Sequence, residues 1–480
     1  MLRVLLVSSV VLSGSLGSAT AVADSSEYER WKNSTQTAFR QYLSEQDQAF
    51  VGFLKRPWQT LDTDQQQPED QAPKPDTLPV AQPPAPEPMQ PTSDDTPRVE
   101  LTPPPIAKPV TPPSSALPPS PAPRTELTFF GERLAIAMPK GQHSRFRSRI
   151  HGDAIAQHFQ TLAEQDWQPT LKDLRHHQQQ LTLNDWAMVM LIQQLSQQSQ
   201  KDVNSQRLLN WFLLLQAGFD ARVAFNDNQI YVLLASDDAI FGETFFTLNG
   251  RSYYALTQQG PAGRVSTYGE QHSDGTRAIH FDGLNDLQLD GQLQQRQLAV
   301  TLEGKQHTLS VDYSQAYVAF LASVPQLQLS RYFDVGLPDV SQRSLSKDLA
   351  PLLSGLSEQQ AVNRLLHIVQ TGFEYQTDDQ QFGEENYLFP LETLHYPYSD
   401  CEDRAALFAH LVTTLLGLDV IITDYPGHVA TAVAFNSPVK GDSVRFQGRE
   451  YVVADPTYIN AQVGMTMPQL AAIAPKLRQP

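Results

Sequence analysis

Three residues whose side-chain types can take part in catalysis lie in the C-terminal part of the chain: Cys401, His428 and Asp455. A cysteine, a histidine and an aspartate can serve as a nucleophile, a general base and the residue that orients the base. Cys401 is the only cysteine among the 480 residues, which excludes an internal disulfide framework and a cysteine-cluster metal or iron–sulfur site. Together the three residue types predict attack by a sulfur nucleophile on an amide carbonyl.

A helix that begins near Cys401 is predicted to position the thiol. The run from Arg404 to Leu416 favours a helix, and Gly417 ends it. Asp400 or Ser399 suits the N-cap, which places Cys401 in the first turn. There the macrodipole and the free backbone N–H groups favour a thiolate and can hold an oxyanion. The acidic pair that follows the cysteine opposes thiolate formation, so a cationic partner is required, and histidine is the usual one.

Two histidines are candidates for that partner. His410 lies nine residues after Cys401. At about 100° per residue its side chain points to the opposite face of the helix, so His410 is predicted to be structural. His428 begins a predicted strand after a Pro-Gly turn, and Asp455 ends a second predicted strand. If the two strands are adjacent and face the helix N-terminus, they bring His428 to the thiol and Asp455 to the far imidazole nitrogen.

Four motifs follow one another here: Asp-Cys-Glu-Asp at 400–403, a helix that ends in Leu-Gly-Leu-Asp-Val, Gly-His-Val at 427–429 and Val-Ala-Asp-Pro-Thr at 453–457. Their order and flanking elements resemble the core of the transglutaminase-like cysteine enzymes, distant relatives of papain. The resemblance covers residues 357–468. It implies that Cys401 is the nucleophile, His428 the general base and Asp455 the residue that orients it. That superfamily includes crosslinking transglutaminases, peptidases, amidases and inactive copies, so the resemblance leaves the reaction open.

Two positions depart from the common pattern of that superfamily. Ser399 stands where a glycine often precedes the cysteine by two, and Ala430 stands where a tryptophan often follows the histidine by two. Both departures leave the triad intact and the substrate class open. An oxyanion hole also needs hydrogen-bond donors. Gln381 is the candidate side chain and Tyr375 its rival, with a solvated loop residue as the alternative interpretation of either.

The N-terminal part of the sequence predicts export and an extended linker. Residues 1–23 have the charged start, apolar run and small-residue end of a signal peptide. Residues 24–60 carry aromatic residues at helical spacing and predict an amphipathic helical segment. Residues 61–126 are predicted to be a Pro-rich disordered linker, because 20 of the 35 prolines lie between positions 68 and 123. No later segment is apolar enough to span a membrane, so we expect a periplasmic or secreted protein without a transmembrane segment in the mature chain.

The remaining sequence predicts an α+β multidomain fold. Residues 127–260 are predicted to be an α/β region, residues 261–340 a β-rich module, and residues 341–480 the transglutaminase-like, papain-like catalytic domain. The α/β region contains a weaker copy of the catalytic pattern, in which the run ending at Gly218 parallels the run ending at Gly417. In that alignment the Cys, His and Asp positions fall at Asp202, Gln229 and Thr257. We therefore interpret residues 127–260 as a degenerate, catalytically dead copy, with chance similarity as the alternative.

The net charge and the motifs of the chain indicate which partners and cofactors to expect. The formal charge of −17 and the lack of a basic cluster argue against nucleic acid as a partner. The sequence shows no typical metal-ligand spacing, phosphate loop or dinucleotide fingerprint, so no metal or cofactor is expected.

The sequence thus predicts an exported thiol enzyme that acts on amide bonds of a protein or peptide, in the cell envelope or outside the cell. Peptidase or amidase activity is favoured over crosslinking. Transfer to an amine requires a site that excludes water from the thioester acyl-enzyme, and nothing in the sequence indicates such a site. The alternative function is a noncatalytic interaction or scaffold protein of the cell envelope with the same fold. The oligomeric state is left open.

Overall fold

The computed structural model describes residues 25–67, 74–81, 98–99, 101, 122–140, 145–226, 229–289 and 291–479. The predicted signal peptide and much of the predicted linker lie outside the described residues. The chain divides into two units, residues 1–49 and residues 50–480. In the first unit, residues 25–49 are helical, as the aromatic spacing predicts.

Within the described residues there are twelve helices: α1 Ser25–Leu54, α2 Gly152–Ala163, α3 Gln168–Gln180, α4 Asp185–Ser199, α5 Val203–Gln216, α6 Gln315–Leu321, α7 Leu329–Asp334, α8 Asp339–Leu353, α9 Glu358–Gly372, α10 Asp378–Gln381, α11 Pro390–His395 and α12 Cys401–Leu416. The strands of the same residues are β1 Gln59–Asp62, β2 Asp64–Gln65, β3 Arg124–Phe129, β4 Glu132–Ala137, β5 Ala221–Phe225, β6 Ile230–Ala235, β7 Thr244–Leu248, β8 Arg251–Tyr254, β9 Arg264–Thr267, β10 Leu293–Leu302, β11 Lys305–Ser314, β12 Glu374–Tyr375, β13 Tyr398–Ser399, β14 Asp419–Tyr425, β15 His428–Ala434, β16 Ser443–Phe446, β17 Arg449–Ala454 and β18 Lys476–Arg478. The fold is therefore a mixture of helices and sheets, as the sequence predicts at that level.

A seven-stranded sheet occupies the middle of the chain, in the order β1-β9-β5-β6-β8-β7-β2. Strands β1 and β2 pair with opposite ends of this sheet although only Thr63 separates them. The sheet is therefore curled and barrel-like. Both strands lie within or next to the predicted linker, so this part of the linker sequence belongs to the folded structure.

A five-stranded antiparallel sheet occupies the C-terminal region, in the order β16-β17-β15-β14-β18. The hairpin β14–β15 turns through Pro426 and Gly427, and Gly427 has φ 70°, a backbone conformation that glycine adopts without strain. Helix α12 packs on β14 and β15 and against α9. This packing sets the N-terminus of α12 beside the strand that begins at His428.

The middle sheet repeats the strand order of the C-terminal sheet, since β7-β8-β6-β5 corresponds to β16-β17-β15-β14. The pairing registers correspond as well. Val223 pairs with Val232 and Leu234 with Tyr254, as Ile422 pairs with Thr431 and Val433 with Val452. In both sheets the next hairpin turns through two residues with positive φ, Asn249-Gly250 and Gln447-Gly448. The middle region and the C-terminal region thus share strand topology as well as sequence pattern.

One continuous hydrophobic core joins these elements and includes apolar residues of α4, α5, α9 and α12. Ser357 caps α9 through a reciprocal capping box with Gln360, which fixes the start of that helix. The segment predicted as a β-rich module holds the hairpin β10–β11, followed by two short helices. Among the described residues, no helix combines the length and apolarity that crossing a membrane demands.

Candidate active site

Cys401 is the first residue of α12, with Asp400 as the N-cap, and Gly417 ends the helix with φ 66°. Both ends agree with the sequence prediction. The Asp403 carboxylate fixes the start of the helix, because it accepts hydrogen bonds from the backbone N–H groups of Asp400 (3.2 Å) and Leu388 (2.8 Å). The thiol is 1% exposed. It therefore sits on a rigid, buried helix end.

His428 and Asp455 are joined as predicted, since Nε2 of the imidazole lies 2.8 Å from Oδ2 of the carboxylate. Both side chains are buried. Burial alone would lower the pKa of His428, but the adjacent Asp455 carboxylate outweighs burial and raises it. Burial alone would raise the pKa of Asp455, but His428 and hydrogen bonds from Thr457 lower it. The pair is therefore an ionised carboxylate that holds an imidazole of increased basicity.

The loop after β17 orients the Asp455 carboxylate. Its Oδ1 accepts hydrogen bonds from the Thr457 backbone N–H (2.9 Å), the Thr457 hydroxyl (2.7 Å) and the Tyr458 backbone N–H (3.2 Å). The buried Gln370 amide of α9 donates to the carbonyl oxygens of Asp455 (3.0 Å), Tyr458 (2.8 Å) and Ala461 (3.1 Å). The loop that presents Asp455 is thus bound to the helix that packs behind α12.

The contacts of the sulfur atom differ from the expectation of a histidine partner. Cys401 Sγ lies 3.0 Å from Oε2 of Glu402, and the Val429 N–H donates to Sγ at 3.4 Å. Burial, together with the carboxylates of Glu402 and Asp400, raises the pKa of Cys401 well above its ordinary value. The arrangement therefore favours a protonated thiol that donates to Glu402.

A cation does enter the site, but it comes from the predicted linker. Nζ of Lys74 lies 2.8 Å from Asp400, 2.9 Å from Glu385 and 3.5 Å from Asp378, and it also pairs with Glu402. Burial alone would lower the pKa of Lys74, but the carboxylates of Glu402 and Asp400 raise it strongly. Burial alone would likewise raise the pKa of Glu402, yet Lys74 and neighbouring hydrogen bonds lower it to about 2. Lys74 and Glu402 therefore form a buried ion pair next to the thiol.

Two groups of carboxylates in this region have oxygen atoms within 4.8 Å of one another: Asp378, Asp400 and Asp403, and Asp378, Glu385 and Glu402. Oxygen ligands at such spacing suit a hard divalent cation. Four of these carboxylates, those of Asp378, Glu385, Asp400 and Glu402, already pair with the Lys74 ammonium. A metal ion at either group would have to compete with Lys74.

A cavity of about 180 Å³ opens between these groups. Cys401, Glu402, His428 and Lys74 line it, and Ala239 and Phe241 of the middle region form part of its wall. The Cys401 thiol and the His428 imidazole thus line the same cavity. The loop between β6 and β7 of the middle region shapes that space.

Other predicted residues lie elsewhere. Gln381 ends α10 and is not among the residues that line the cavity, and Tyr375 lies in β12 with its ring 5.6 Å from the Arg404 guanidinium. His410 faces α8, where Nε2 lies 2.6 Å from Gln342 Oε1, and burial lowers its pKa to about 4. This contact agrees with the structural role predicted for His410.

The two departures from the superfamily pattern have local contacts. The Ser399 hydroxyl accepts a hydrogen bond from Nε of the fully buried Arg404 (3.1 Å), whose other nitrogens donate to the carbonyls of Gln370 and Phe373. Ala430 is buried in an apolar cluster that also contains Ala81 of the linker segment. The serine thus helps to bind a buried arginine, and the small alanine belongs to the surface on which the linker packs.

Comparison of the chain with protein-family models, curated proteins and solved structures finds no match.

Sequence reasoning missed Lys74, Gln370 and Arg404. Lys74 lies in a proline-rich stretch whose composition is typical of a linker, so nothing in its surroundings indicates a buried ion pair. Gln370 and Arg404 each lie in a predicted helix. A polar residue on the apolar face of a helix was the available signal, because such a residue must find partners when it is buried.

Proposed function

We propose that this protein is a thiol enzyme that cleaves amide bonds, with Cys401 as the nucleophile, His428 as the general base and Asp455 as the residue that orients the base. The observation that carries the proposal is the His428–Asp455 pair at a cavity that also contains the thiol of Cys401. Because Nε2 of His428 is engaged by Asp455, Nδ1 is the nitrogen left to exchange a proton with the thiol.

In the proposed reaction, Sγ attacks the carbonyl carbon of the amide while Nδ1 accepts the thiol proton. The tetrahedral intermediate collapses, the C–N bond breaks, and the leaving amine takes the proton from the imidazolium. Water then attacks the thioester with His428 again as the base, which releases the carboxylic acid and restores the thiol. No oxidant, metal or cofactor is needed for any of these steps.

The pKa shifts favour proton transfer during attack over a preformed ion pair. The pKa of Cys401 is raised by burial and by the carboxylates of Glu402 and Asp400, and that of His428 is raised by Asp455. A neutral thiol must lose its proton as it attacks, and a positioned histidine can accept that proton as a general base. The backbone N–H groups at the start of α12 have no acceptor within the helix and are candidate donors to the oxyanion. Gln381 remains the predicted side-chain donor.

We also propose that residues 341–480 have the transglutaminase-like layout and that residues 127–260 are a degenerate copy of it. Shared strand order, shared register and the paired positive-φ turns support this interpretation. At the equivalent positions of the copy, Asp202 caps α5 by accepting the Ser205 N–H (2.9 Å), and Gln229 accepts from Arg207 (3.1 Å). The copy would then contribute to the function through its β6–β7 loop, which forms part of the cavity wall.

Hydrolysis of a protein or peptide substrate outside the cytoplasm is the proposed activity, with transfer to an amine as the less favoured outcome. The location is inferred from the signal-peptide pattern of residues 1–23.

The test uses p-nitrophenyl acetate as a generic acyl donor. We expect the wild type to release p-nitrophenolate and to carry one acetyl group on Cys401, detected by mass spectrometry and removed by hydroxylamine. His428→Ala should lose at least about tenfold in the acetylation rate, since general bases contribute about 10² to 10⁴. His410→Ala, which changes a half-buried histidine on the same helix as Cys401, is the control and should react like the wild type. Adding an amine and following its acetylation separates transfer from hydrolysis.

One observation favours the alternative, a noncatalytic interaction protein with the same fold. The thiol contacts a carboxylate, and the Lys74 side chain lies in the same cavity. If Cys401 is acetylated no faster than a free thiol and His428→Ala changes nothing, the scaffold interpretation replaces the enzyme.

A further inference from the structure

Four carboxylates surround one ammonium group beside Cys401. Asp378, Asp400 and Glu402 are buried and Glu385 is half-buried, and all four contact Nζ of Lys74. The Lys74 side chain is 13% exposed. A lysine with four acidic partners is more highly coordinated than an ordinary ion pair. We call these four carboxylates the acidic subsite.

The acidic subsite depends on a cation for its ionisation. Burial and the charge of Glu402 raise the pKa of Asp378 to about 7, while Lys74 holds Glu402 ionised. No group of the described residues donates a hydrogen bond to Oδ1 of the fully buried Asp400. Buried acceptors without a donor are costly, so this oxygen offers a further contact to a group with several N–H donors. Without a cation, several carboxylates would have to take up protons.

Lys74 reaches the subsite from a segment that crosses the C-terminal region rather than from the domain itself. Residues 79–81 pair with Ile459, where the Ala81 N–H donates to the Ile459 carbonyl (2.8 Å) and the Ile459 N–H donates to the Pro79 carbonyl (2.9 Å). Ile459 follows the loop that presents Asp455. The segment is thus fixed beside the loop of Asp455 by a single parallel β-bridge between Val80 and Ile459.

We propose that the acidic subsite binds a primary ammonium group, that Lys74 is its occupant in cis, and that a basic side chain of the substrate enters by displacing Lys74. The last statement rests on the proposed amide-cleaving function, whereas the first two do not. Cys401, Glu402, Glu385 and Lys74 line one cavity, so a substrate ammonium in the subsite would place its neighbouring amide close to the thiol. The linker would then compete with substrates that carry basic residues.

The contacts of Nζ suit an ammonium group. The Asp400 and Glu385 oxygens lie 2.8 and 2.9 Å from Nζ, in the range of N–H donor contacts. The ring of Tyr387 lies 5.8 Å from Nζ, a distance suited to a cation–π contact.

The first experiment is chemical rescue. Lys74→Ala removes a propylammonium group, so n-propylammonium is the probe, and thermal unfolding is the readout. We expect Lys74→Ala to melt several degrees below the wild type and n-propylammonium to restore several degrees of that loss by mass action. Neither the wild type nor the exposed-lysine control Lys347→Ala should respond. Equal restoration by sodium ions, or restoration by Mg²⁺ or Ca²⁺ alone, would overturn the proposal, because either result assigns the subsite to charge screening or to a metal.

The second experiment tests access to Cys401 without any catalytic turnover. Aminoethyl methanethiosulfonate and its neutral methyl analogue both modify a thiolate, which attacks the sulfenyl sulfur, forms a mixed disulfide and releases methanesulfinate. In Lys74→Ala we expect the rate ratio of the cationic to the neutral reagent to rise about tenfold or more over the wild type, because the vacated carboxylates attract the cation. An unchanged ratio would overturn the proposal. If Lys74→Ala does not fold, Lys74→Met retains most of the side-chain volume and replaces it.

The experiments distinguish failure of the amide-cleaving proposal from failure of the acidic-subsite proposal. A raised reagent ratio with no acetylation of Cys401 by p-nitrophenyl acetate supports the subsite and contradicts the enzyme. Acetylation that depends on His428 with an unchanged reagent ratio supports the enzyme and contradicts the subsite.

Discussion

Cys401 Sγ lies 3.0 Å from Oε2 of Glu402, the next residue in the chain. Within the described part of the chain, Sγ makes no hydrogen bond with the imidazole of His428. A carboxylate at this distance stabilises the protonated thiol and opposes the thiolate. The Lys74 ammonium on the other side of Glu402 keeps that carboxylate ionised. The site is therefore held in a thiol form by a pair of charges that the triad itself does not contain.

The first prediction concerns the charge of Glu402. In Glu402→Gln the negative charge next to Sγ is removed while Lys74 stays, so the pKa of Cys401 should fall. A neighbouring charge typically shifts a pKa by about one to three units. The pH dependence of Cys401 alkylation by iodoacetamide measures the shift. Glu374→Gln, which changes an exposed carboxylate of the same region, should leave the profile unchanged. An unshifted or raised inflection in Glu402→Gln would show that Glu402 does not control the thiol.

The second prediction concerns the basicity of His428. Its pKa is raised because Asp455, with a smaller contribution from Glu402, outweighs burial, so in Asp455→Asn the pKa of His428 should fall below its wild-type value. NMR titration of histidine-labelled protein measures it, with His428→Gln to assign the resonance among the 12 histidines. Asp419→Asn changes an exposed aspartate of the same sheet and should have no effect. If the pKa of His428 stays raised in Asp455→Asn, another group must supply the charge.

The positions of Cys401, His428 and Asp455 at element ends were predictable because the signals are local. Cys401 follows an N-cap residue, His428 follows a Pro-Gly turn, and Asp455 precedes a proline. Such boundaries predict the helix start and the two strands, whereas the His428–Asp455 contact followed only on the condition that the two strands are adjacent. The mixed helix and sheet content followed from the same periodicities.

Lys74 was not predictable because its contacts depend on long-range packing. It lies more than 300 residues before the carboxylates that bind it. Proline-rich composition indicates a segment with little apolar surface to bury, but it does not show whether one charged side chain docks elsewhere. The orienting role of Gln370 was hidden for a related reason. A glutamine in a helix gives no sign of the three carbonyl groups that surround it after folding.

The third prediction tests Gln370 as a positioning residue. Gln370→Leu removes a side-chain amide that donates to the carbonyls of Asp455, Tyr458 and Ala461. The Tyr458 carbonyl keeps the hydrogen bond from the Ala461 N–H (3.0 Å), but the buried carbonyls of Asp455 and Ala461 lose this donor. Each buried group left without a partner costs about 1–3 kcal/mol, so we expect a loss of at least about 2 kcal/mol in the free energy of unfolding. The exposed α9 residue Gln359→Leu is the control and should lose little. Because the loop carries Asp455, the pKa of His428 should also fall in Gln370→Leu. A loss of stability with an unchanged His428 titration would assign Gln370 a purely structural role.

The last prediction is a pH dependence of stability that originates at Glu392. This residue is 3% exposed, and burial raises its pKa to about 8, although a hydrogen bond from the Phe389 N–H opposes the shift. The unfolded chain releases this proton near pH 4.5, whereas the native protein keeps it until about pH 8. The native state therefore binds one more proton over that interval, and its stability falls by about 1.4 kcal/mol per pH unit as the pH rises.

Glu392→Gln keeps an acceptor for the Phe389 N–H but has no proton to lose. Urea unfolding between pH 5 and pH 8 should thus show the wild type losing stability relative to Glu392→Gln as the pH increases. Other buried carboxyls titrate in both proteins and cancel in the difference, so a constant difference across this range would mean that Glu392 is ionised in the native state.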